Sequence, residues 1–210
     1  MKGAIFDVDG TLLDSMGVWY HISDRFFQEN GLVLTPDLAT KFQEMTLEES
    51  LPFIVERFSL PTSVEAVFDR FQELMKEEYL SFIPLKPYAK EYVQKLHGQG
   101  IKIALATSGY RDLCQGAFER LGLWHCFDAV ALSSEVGVNK SNPDVYLLAA
   151  QRLGIAPEDC MVYEDIPLGI KGAKKANMKT TAVYDITNEP MTEALKQLSD
   201  HYITGWDELL

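Results

Sequence analysis

Phe6-Asp7-Val8-Asp9-Gly10-Thr11-Leu12-Leu13-Asp14-Ser15 follows the short apolar stretch Gly3 to Ile5. The apolar residues read as a buried strand that ends where the acids begin. Two carboxylates, Asp7 and Asp9, stand two apart just past that strand. In open α/β sheets ligands bind beyond the carboxyl ends of the strands, so both acids fall where a site belongs. Gly10 would let backbone N–H groups approach a ligand closely. The pair suits a division of labour. An aspartate is ionised near neutral pH without help and can serve as nucleophile, while a second can give and then take a proton. The same residues also suit an Asp-Gly turn in which Asp9 or Thr11 caps a helix.

Further strands are expected at Ile101 to Ala106, Ala129 to Leu132, Cys160 to Tyr163 and Thr180 to Val183. Helical patterns separate them. Pro87 to Gln99 carries Tyr88, Tyr92, Val93 and Leu96 on one face, with Pro87 suited to a first turn. Tyr110 to Leu121 stops at Gly122, Pro143 to Leu153 at Gly154 and Pro167 to Ala176 at Asn177. Alternating strands and helices predict an α/β fold with a parallel sheet, and continuous apolar strands predict helices on both faces.

The segment from Met16 to Pro84 breaks this rhythm. Helices are expected at Gly17 to Asn30, Leu47 to Arg57 and Ser63 to Phe82, and no strand is evident. It reads as an inserted helical subdomain. Within it Ile22 and Phe26 suit a helical core, and Trp19 suits either that core or a substrate surface.

The chain has 210 residues, 31 acidic and 19 basic, for a formal net charge of −12. That balance excludes nucleic acid and anionic membrane surfaces as partners, because both demand a basic face. No apolar run is long enough to span a bilayer. Met1-Lys2 and the short stretch up to Asp7 do not read as a secretory signal. Three cysteines without CxxC spacing fit a reduced, cytoplasmic setting, and Cys114 lies in an apolar stripe that predicts a buried thiol.

Two more segments carry polar groups at expected strand ends. In Ala106-Thr107-Ser108-Gly109, Thr107 can bond an anionic oxygen, and the amides of Ser108 and Gly109 can add donors. An ordinary helix N-cap explains the hydroxyls equally well. In Tyr163-Glu164-Asp165-Ile166-Pro167, two acids end a strand, which suits a hard cation such as Mg²⁺. Asp165 is read as a direct ligand and Glu164 as direct or through water. Asp165 could also cap the next helix.

Together these segments resemble the haloacid dehalogenase superfamily. Asp7-x-Asp9-Gly-Thr-Leu-x-Asp-Ser is similar to its opening motif. Lys140-Ser141-Asn142-Pro143-Asp144-Val145-Tyr146 is similar to Lys-Pro-x-Pro-Asp-x-Tyr/Phe, with Ser141 for the usual Pro. Glu164-Asp165 and Gly169 fit Val-Phe-Glu-Asp-Ser-x-x-Gly, with Ile166 for the usual Ser. The resemblance implies a Rossmann-like three-layer core at 1–15 and 85–210 and an all-helical cap at 16–84. It implies that Asp7 forms an aspartyl-phosphate and that Asp9 is the general acid/base, its backbone carbonyl also touching the metal. Lys140 would neutralise the crowded charges. Gly10, Thr107, Ser108 and Lys140 would bind phosphate, and Asp7, Asp9, Glu164 and Asp165 would hold Mg²⁺.

Within the superfamily, the aspartate at position 9 argues against the dehalogenase and phosphonate-cleaving branches. A phosphatase or a β-phosphoglucomutase-like hexose-phosphate mutase remains. The mutases resemble one another in a cap His and a cap Arg. Here Trp19 stands at the His position, with His21 two residues late, and Leu47 stands at the Arg position. This favours a phosphatase acting on a small phosphorylated metabolite, a sugar phosphate first. A monomer or weak dimer is expected.

Overall fold

A computed structural model describes every residue of the chain except 44 and 46, and every side chain except those and residues 40, 43, 47, 48 and 49. The chain divides into two compact units, one of residues 1–16 and 83–210 and the other of residues 17–82.

The larger unit is built on a six-stranded sheet. The strands are β1 (Gly3–Phe6), β2 (Lys102–Thr107), β3 (Ala129–Leu132), β4 (Cys160–Glu164), β5 (Lys179–Val183) and β6 (His201–Ile203), in the order β3-β2-β1-β4-β5-β6. Every neighbouring pair is parallel. This is the Rossmann-like order, and it reverses direction between β1 and β4. β1 is central: Phe6 pairs with Leu105 on one side and Tyr163 on the other. Its four residues are all buried, as a strand covered on both faces requires.

Five helices of this unit lie after the insert: α5 (Ala89–Gly98), α6 (Arg111–Arg120), the short α7 (Ser133–Val136), α8 (Asp144–Leu153) and α9 (Pro167–Lys175). A sixth, α10 (Thr192–Leu198), follows β5. On one face Val145, Tyr146, Ala149 and Ala150 of α8 pack with Ile5, Ala104 and Val162 of the sheet. Each large apolar side chain so buried contributes about 1.5–3 kcal/mol. Phe6 stacks on Tyr163 at 4.5 Å between ring centroids, and Tyr92 of α5 stacks on Trp206 at 5.3 Å.

The expected core strands and helices are all present, with ends shifted by a residue or two. The largest shift is at Pro87: α5 starts two residues later, because Tyr88 takes a left-handed conformation (φ 62°) that a helix interior cannot hold. The elements after Val183 had no counterpart in the sequence reading. Cys114, Cys126 and Cys160 are all buried, as the apolar stripe predicts for Cys114. Burial pushes the Cys114 thiol up to about 12, aided by Asp9 and Asp7.

The smaller unit is helical. It holds α1 (Val18–Glu29), α2 (Pro36–Gln43), α3 (Leu47–Arg57) and α4 (Val64–Glu77), which runs on into a π-helical turn at Glu78–Phe82. No strand occurs among its described residues. The sequence reading omitted α2 and carried α4 on to Phe82 as one helix. Ser63 caps α4 by accepting from the Ala66 N–H at 3.2 Å. Ile22, Phe26 and Phe27 of α1 are buried, and Phe26 meets Phe71 of α4 at 5.0 Å. Arg70 joins Glu29, and Arg25 joins Glu77, across the same pair of helices. Trp19, left open by its pattern, is 46% exposed and outside that core. The side chain of Leu47 lies outside the described residues. A cavity of about 390 Å³ is lined by His21, Asp24, Arg25, Glu78 and Phe82. No helix among the described residues is long and apolar enough to cross a membrane.

Candidate active site

Asp7 is the first residue past β1, and its N–H still bonds the Tyr163 carbonyl at 3.0 Å. The backbone then folds tightly. Leu12 and Leu13 both donate to the Val8 carbonyl, and Gly10 donates to the Leu13 carbonyl. Gly10 has φ +79°, and a Cβ there would overlap the Asp165 carboxylate. Only glycine meets both demands. No helix follows, so neither Asp9 nor Thr11 caps one. Thr11, fully buried, donates towards Asp7 Oδ2 at 3.2 Å and Asp165 Oδ1 at 3.3 Å. A hydroxyl has one proton, so the two carboxylates share it.

Lys140 comes from the loop before α8. Its ammonium bonds Asp7 Oδ1 and, at 2.6 Å, Glu164 Oε1. Both carboxylates and the ammonium are buried. Burial alone would lower the lysine pKa, but the charges of Asp7 and Glu164 outweigh it and hold the ammonium form. Tyr146 of α8 donates to the same Glu164 Oε1 at 2.8 Å. Gly169, in the first turns of α9, lies so close to Glu164 that a Cβ would overlap its carboxylate.

Asp165 follows β4. It does not cap α9, whose N-cap position is Ile166. Its oxygens go to Thr11 and to Asn188, whose amide donates to Oδ2 at 2.7 Å. Burial and the charges of Asp7 and Glu164 push the Asp165 carboxyl up to about 8.

Asp7, Glu164 and Asp165 each offer an oxygen within 4.8 Å of the others. The Lys140 ammonium bonds two of these three acids, Asp7 and Glu164, and Glu164 Oε2 is buried with no hydrogen-bond partner. Buried like charges with an orphaned acceptor are costly. A small divalent cation that prefers oxygen fits this donor set. The carboxylate of Asp9 is not part of that cluster. It is only partly buried and accepts from Ser15 at 2.7 Å.

Thr107 ends β2, is buried, and accepts from the Gly109 N–H at 2.9 Å. α6 starts only at Arg111 after Tyr110, so Thr107 is not its N-cap. A Cβ built on Gly109 would lie 3.3 Å from Thr107 Oγ1 and 3.6 Å from Asp9 Oδ2, which puts these groups at one corner of the site. Ser108 is exposed, with its hydroxyl 3.1 Å from that of Ser133.

The structure thus brings Asp7, Lys140, Glu164 and Asp165 into one bonded cluster, with Asp9, Gly10 and Thr107 beside it. Sequence reasoning missed Thr11, Tyr146 and Asn188. The first two lie inside the recognised segments and were available to it. Asn188 lies after β5, where no motif marks it.

Comparison with known proteins gives the family. Residues 4–183 match the haloacid dehalogenase-like hydrolase family. A phosphorylated carbohydrates phosphatase of Thermotoga maritima is 30% identical over 85% of this chain and 83% of its own. The fructose-1-phosphate phosphatase YqaB of Escherichia coli is 28% identical over 86% of this chain and 95% of its own. A crystal structure from Thermotoga maritima, provisionally described as a beta-phosphoglucomutase, superimposes with a TM-score of 0.88. It is 27% identical and covers 100% of this chain and 97% of its own. With its acids at the ends of β1 and β4, its lysine before α8 and a family match across most of its length, the chain belongs to the haloacid dehalogenase-like hydrolases.

Proposed function

We propose that the protein is a Mg²⁺-dependent phosphatase that hydrolyses a small phosphomonoester, a phosphorylated sugar first, through an aspartyl-phosphate on Asp7. The observation that carries this reading is the bonding of Asp7. Its carboxylate sits between the Lys140 ammonium and the Thr11 hydroxyl at the sheet's switch point. The names of the relatives point the same way.

In the first step a carboxylate oxygen of Asp7 attacks phosphorus, and the bond from phosphorus to the ester oxygen breaks. Asp9 gives its proton to the departing alkoxide. That carboxyl accepts from Ser15 and is not one of the three clustered acids. In the second step Asp9 takes a proton from water, the water oxygen attacks phosphorus, and the acyl–phosphate bond breaks. Inorganic phosphate leaves and the Asp7 carboxylate is restored. Lys140 holds Asp7 in place and offsets charge throughout. The Thr107 hydroxyl and the Ser108 amide bind phosphoryl oxygens, and Gly10, whose own N–H bonds the Leu13 carbonyl, lets the backbone turn beside them. Asp7, Glu164 and Asp165, with the Asp9 carbonyl that the family resemblance adds, would hold Mg²⁺, which supplies charge neutralisation on the phosphoryl oxygens when bound.

A mutase would use a second sugar hydroxyl in place of water. Trp19, where the mutases carry a cap histidine, favours hydrolysis. Incubating the enzyme with one sugar phosphate and Mg²⁺ separates the two, because a phosphatase releases phosphate while a mutase releases isomer. With p-nitrophenyl phosphate, Asp7→Asn is expected to lose turnover while still folding, as read by circular dichroism. Wild-type turnover in that variant overturns the mechanism.

A further inference from the structure

Asp165 is held from two directions. Thr11 approaches Oδ1 from the loop after β1. Asn188 donates to Oδ2 at 2.7 Å from a 3-10 helix at Ile186–Met191, after β5. A carboxylate only accepts, so it is the amide nitrogen of Asn188 that must face it. Asn188 is 5% exposed and Asp165 is 2% exposed. Both donors are neutral. They fix the carboxylate without neutralising it, and leave its charge for a cation.

The segment carrying Asn188 is itself tied down. Asp185 accepts from the Thr187 N–H at 2.9 Å, and the Asn188 N–H bonds the Asp185 carbonyl at 3.0 Å. Lys86 pairs with Asp185 at 2.8 Å and donates to the Tyr184 carbonyl at 2.8 Å. The backbone N–H of Lys86 reaches the Leu12 carbonyl at 2.9 Å. One residue thus joins the loop that bears Asp7 and Asp9 to the segment that aims Asn188. All of this except Lys86 and Leu12 lies beyond residue 183, where the family match ends.

We propose that Asn188 is a positioning residue that sets the orientation of Asp165 for binding a divalent cation. The proposal rests on the reading of Asp7, Glu164 and Asp165 as the cation site. Groups that hold a ligand's carboxylate commonly change metal affinity by 10- to 100-fold when removed.

The test is a Mg²⁺ titration followed by the melting temperature of wild type, Asn188→Ala and Asn188→Asp, with phosphatase turnover measured in parallel. Ligand that binds only the folded state raises that temperature by mass action. For Asn188→Ala the Mg²⁺ midpoint is expected to rise about ten-fold, in the melting-temperature and the turnover titrations alike. Asn188→Asp replaces the donor by a like charge, and its midpoint is also expected to differ from wild type. A midpoint for Asn188→Ala within two-fold of wild type overturns the proposal. So does a loss of melting temperature that is equal with and without Mg²⁺. If Asn188→Ala does not fold, Asn188→Ser carries the same measurement, and failure of both to fold marks the residue as structural and overturns the proposal. A wild-type protein whose melting temperature ignores Mg²⁺ overturns the cation reading and this proposal with it. A normal wild-type response with an unaltered variant overturns the role of Asn188 alone.

Discussion

Gly172 of α9 lies against the backbone carbonyl of Lys140, leaving no room for a Cβ, and a Cβ there would also come within 2.8 Å of the Asn142 carbonyl. Neither obstacle is a flexible side chain. The helix after the second acidic motif therefore sets the height of the loop that delivers the lysine.

Gly172→Ala should push that loop away from the sheet. Strain of this kind costs about 1–3 kcal/mol. Expected are a melting temperature lowered by several degrees and a fall in kcat larger than the change in KM, since Lys140 moves relative to Asp7. A variant with unchanged melting temperature and turnover would show that the loop yields freely.

Lys140→Met removes the ammonium bonded to Asp7 and Glu164. Removing one partner of a buried charged set costs about 3–5 kcal/mol. For a chain of this size that lowers the melting temperature by roughly 10 °C. Turnover should drop at least about 100-fold. Lys140→Arg should restore little, because a planar fork cannot replace a point charge between two carboxylates. Calorimetry and p-nitrophenyl phosphate kinetics read both outcomes.

The pH dependence has a definite sign. An unfolded aspartate ionises near pH 4. Burial, with Asp7 and Glu164 nearby, pushes the Asp165 carboxyl up to about 8 in the folded, metal-free protein. Between these values the folded state holds a proton that the unfolded state has lost. The stability from this group is full below about pH 4 and disappears as pH rises through about 8. A cation must displace that proton, so the melting-temperature gain from Mg²⁺ should grow from pH 5 to 8 and then level off. A gain that shrinks over this range contradicts the assignment of Asp165 as ligand.

Trp206 donates its indole N–H to the Thr11 carbonyl at 3.2 Å while its ring meets Phe6, Tyr92 and Tyr163. Trp206→Phe keeps much of the packing and deletes the donor. An acceptor left unpaired in the interior costs about 1–3 kcal/mol. A melting temperature a few degrees lower and a several-fold loss of kcat are expected, because Thr11 bridges Asp7 and Asp165.

Much of this could be read from the sequence, and the reasons are local. Gly3 to Phe6 and Ala129 to Leu132 are continuous apolar runs bounded by polar loops, and no other element fits them. The acids of the site lie directly behind such runs, so finding the strands also finds Asp7 and Glu164. β6 escaped because His201-Tyr202-Ile203 buries only Ile203 and is three residues long. α2 escaped because its eight residues hold few apolar anchors. Asn188 escaped for a different reason. Its role is created by the turn after β5, and a lone asparagine in a polar stretch carries no mark of the carboxylate it will meet.

The place of β1 at the centre of the sheet has a consequence for biosynthesis. Gly3 must find Lys102 on one side and Cys160 on the other. The strand that leads to Asp7 is made before either neighbour and waits for both, while residues 17–82 emerge as one uninterrupted stretch. Pairings this distant in sequence form slowly and leave the early strand unsatisfied meanwhile. A nascent chain stalled before Cys160 would hold a complete helical unit and half a sheet. Asp7 can meet Glu164 and Asp165 only after everything between them has been made.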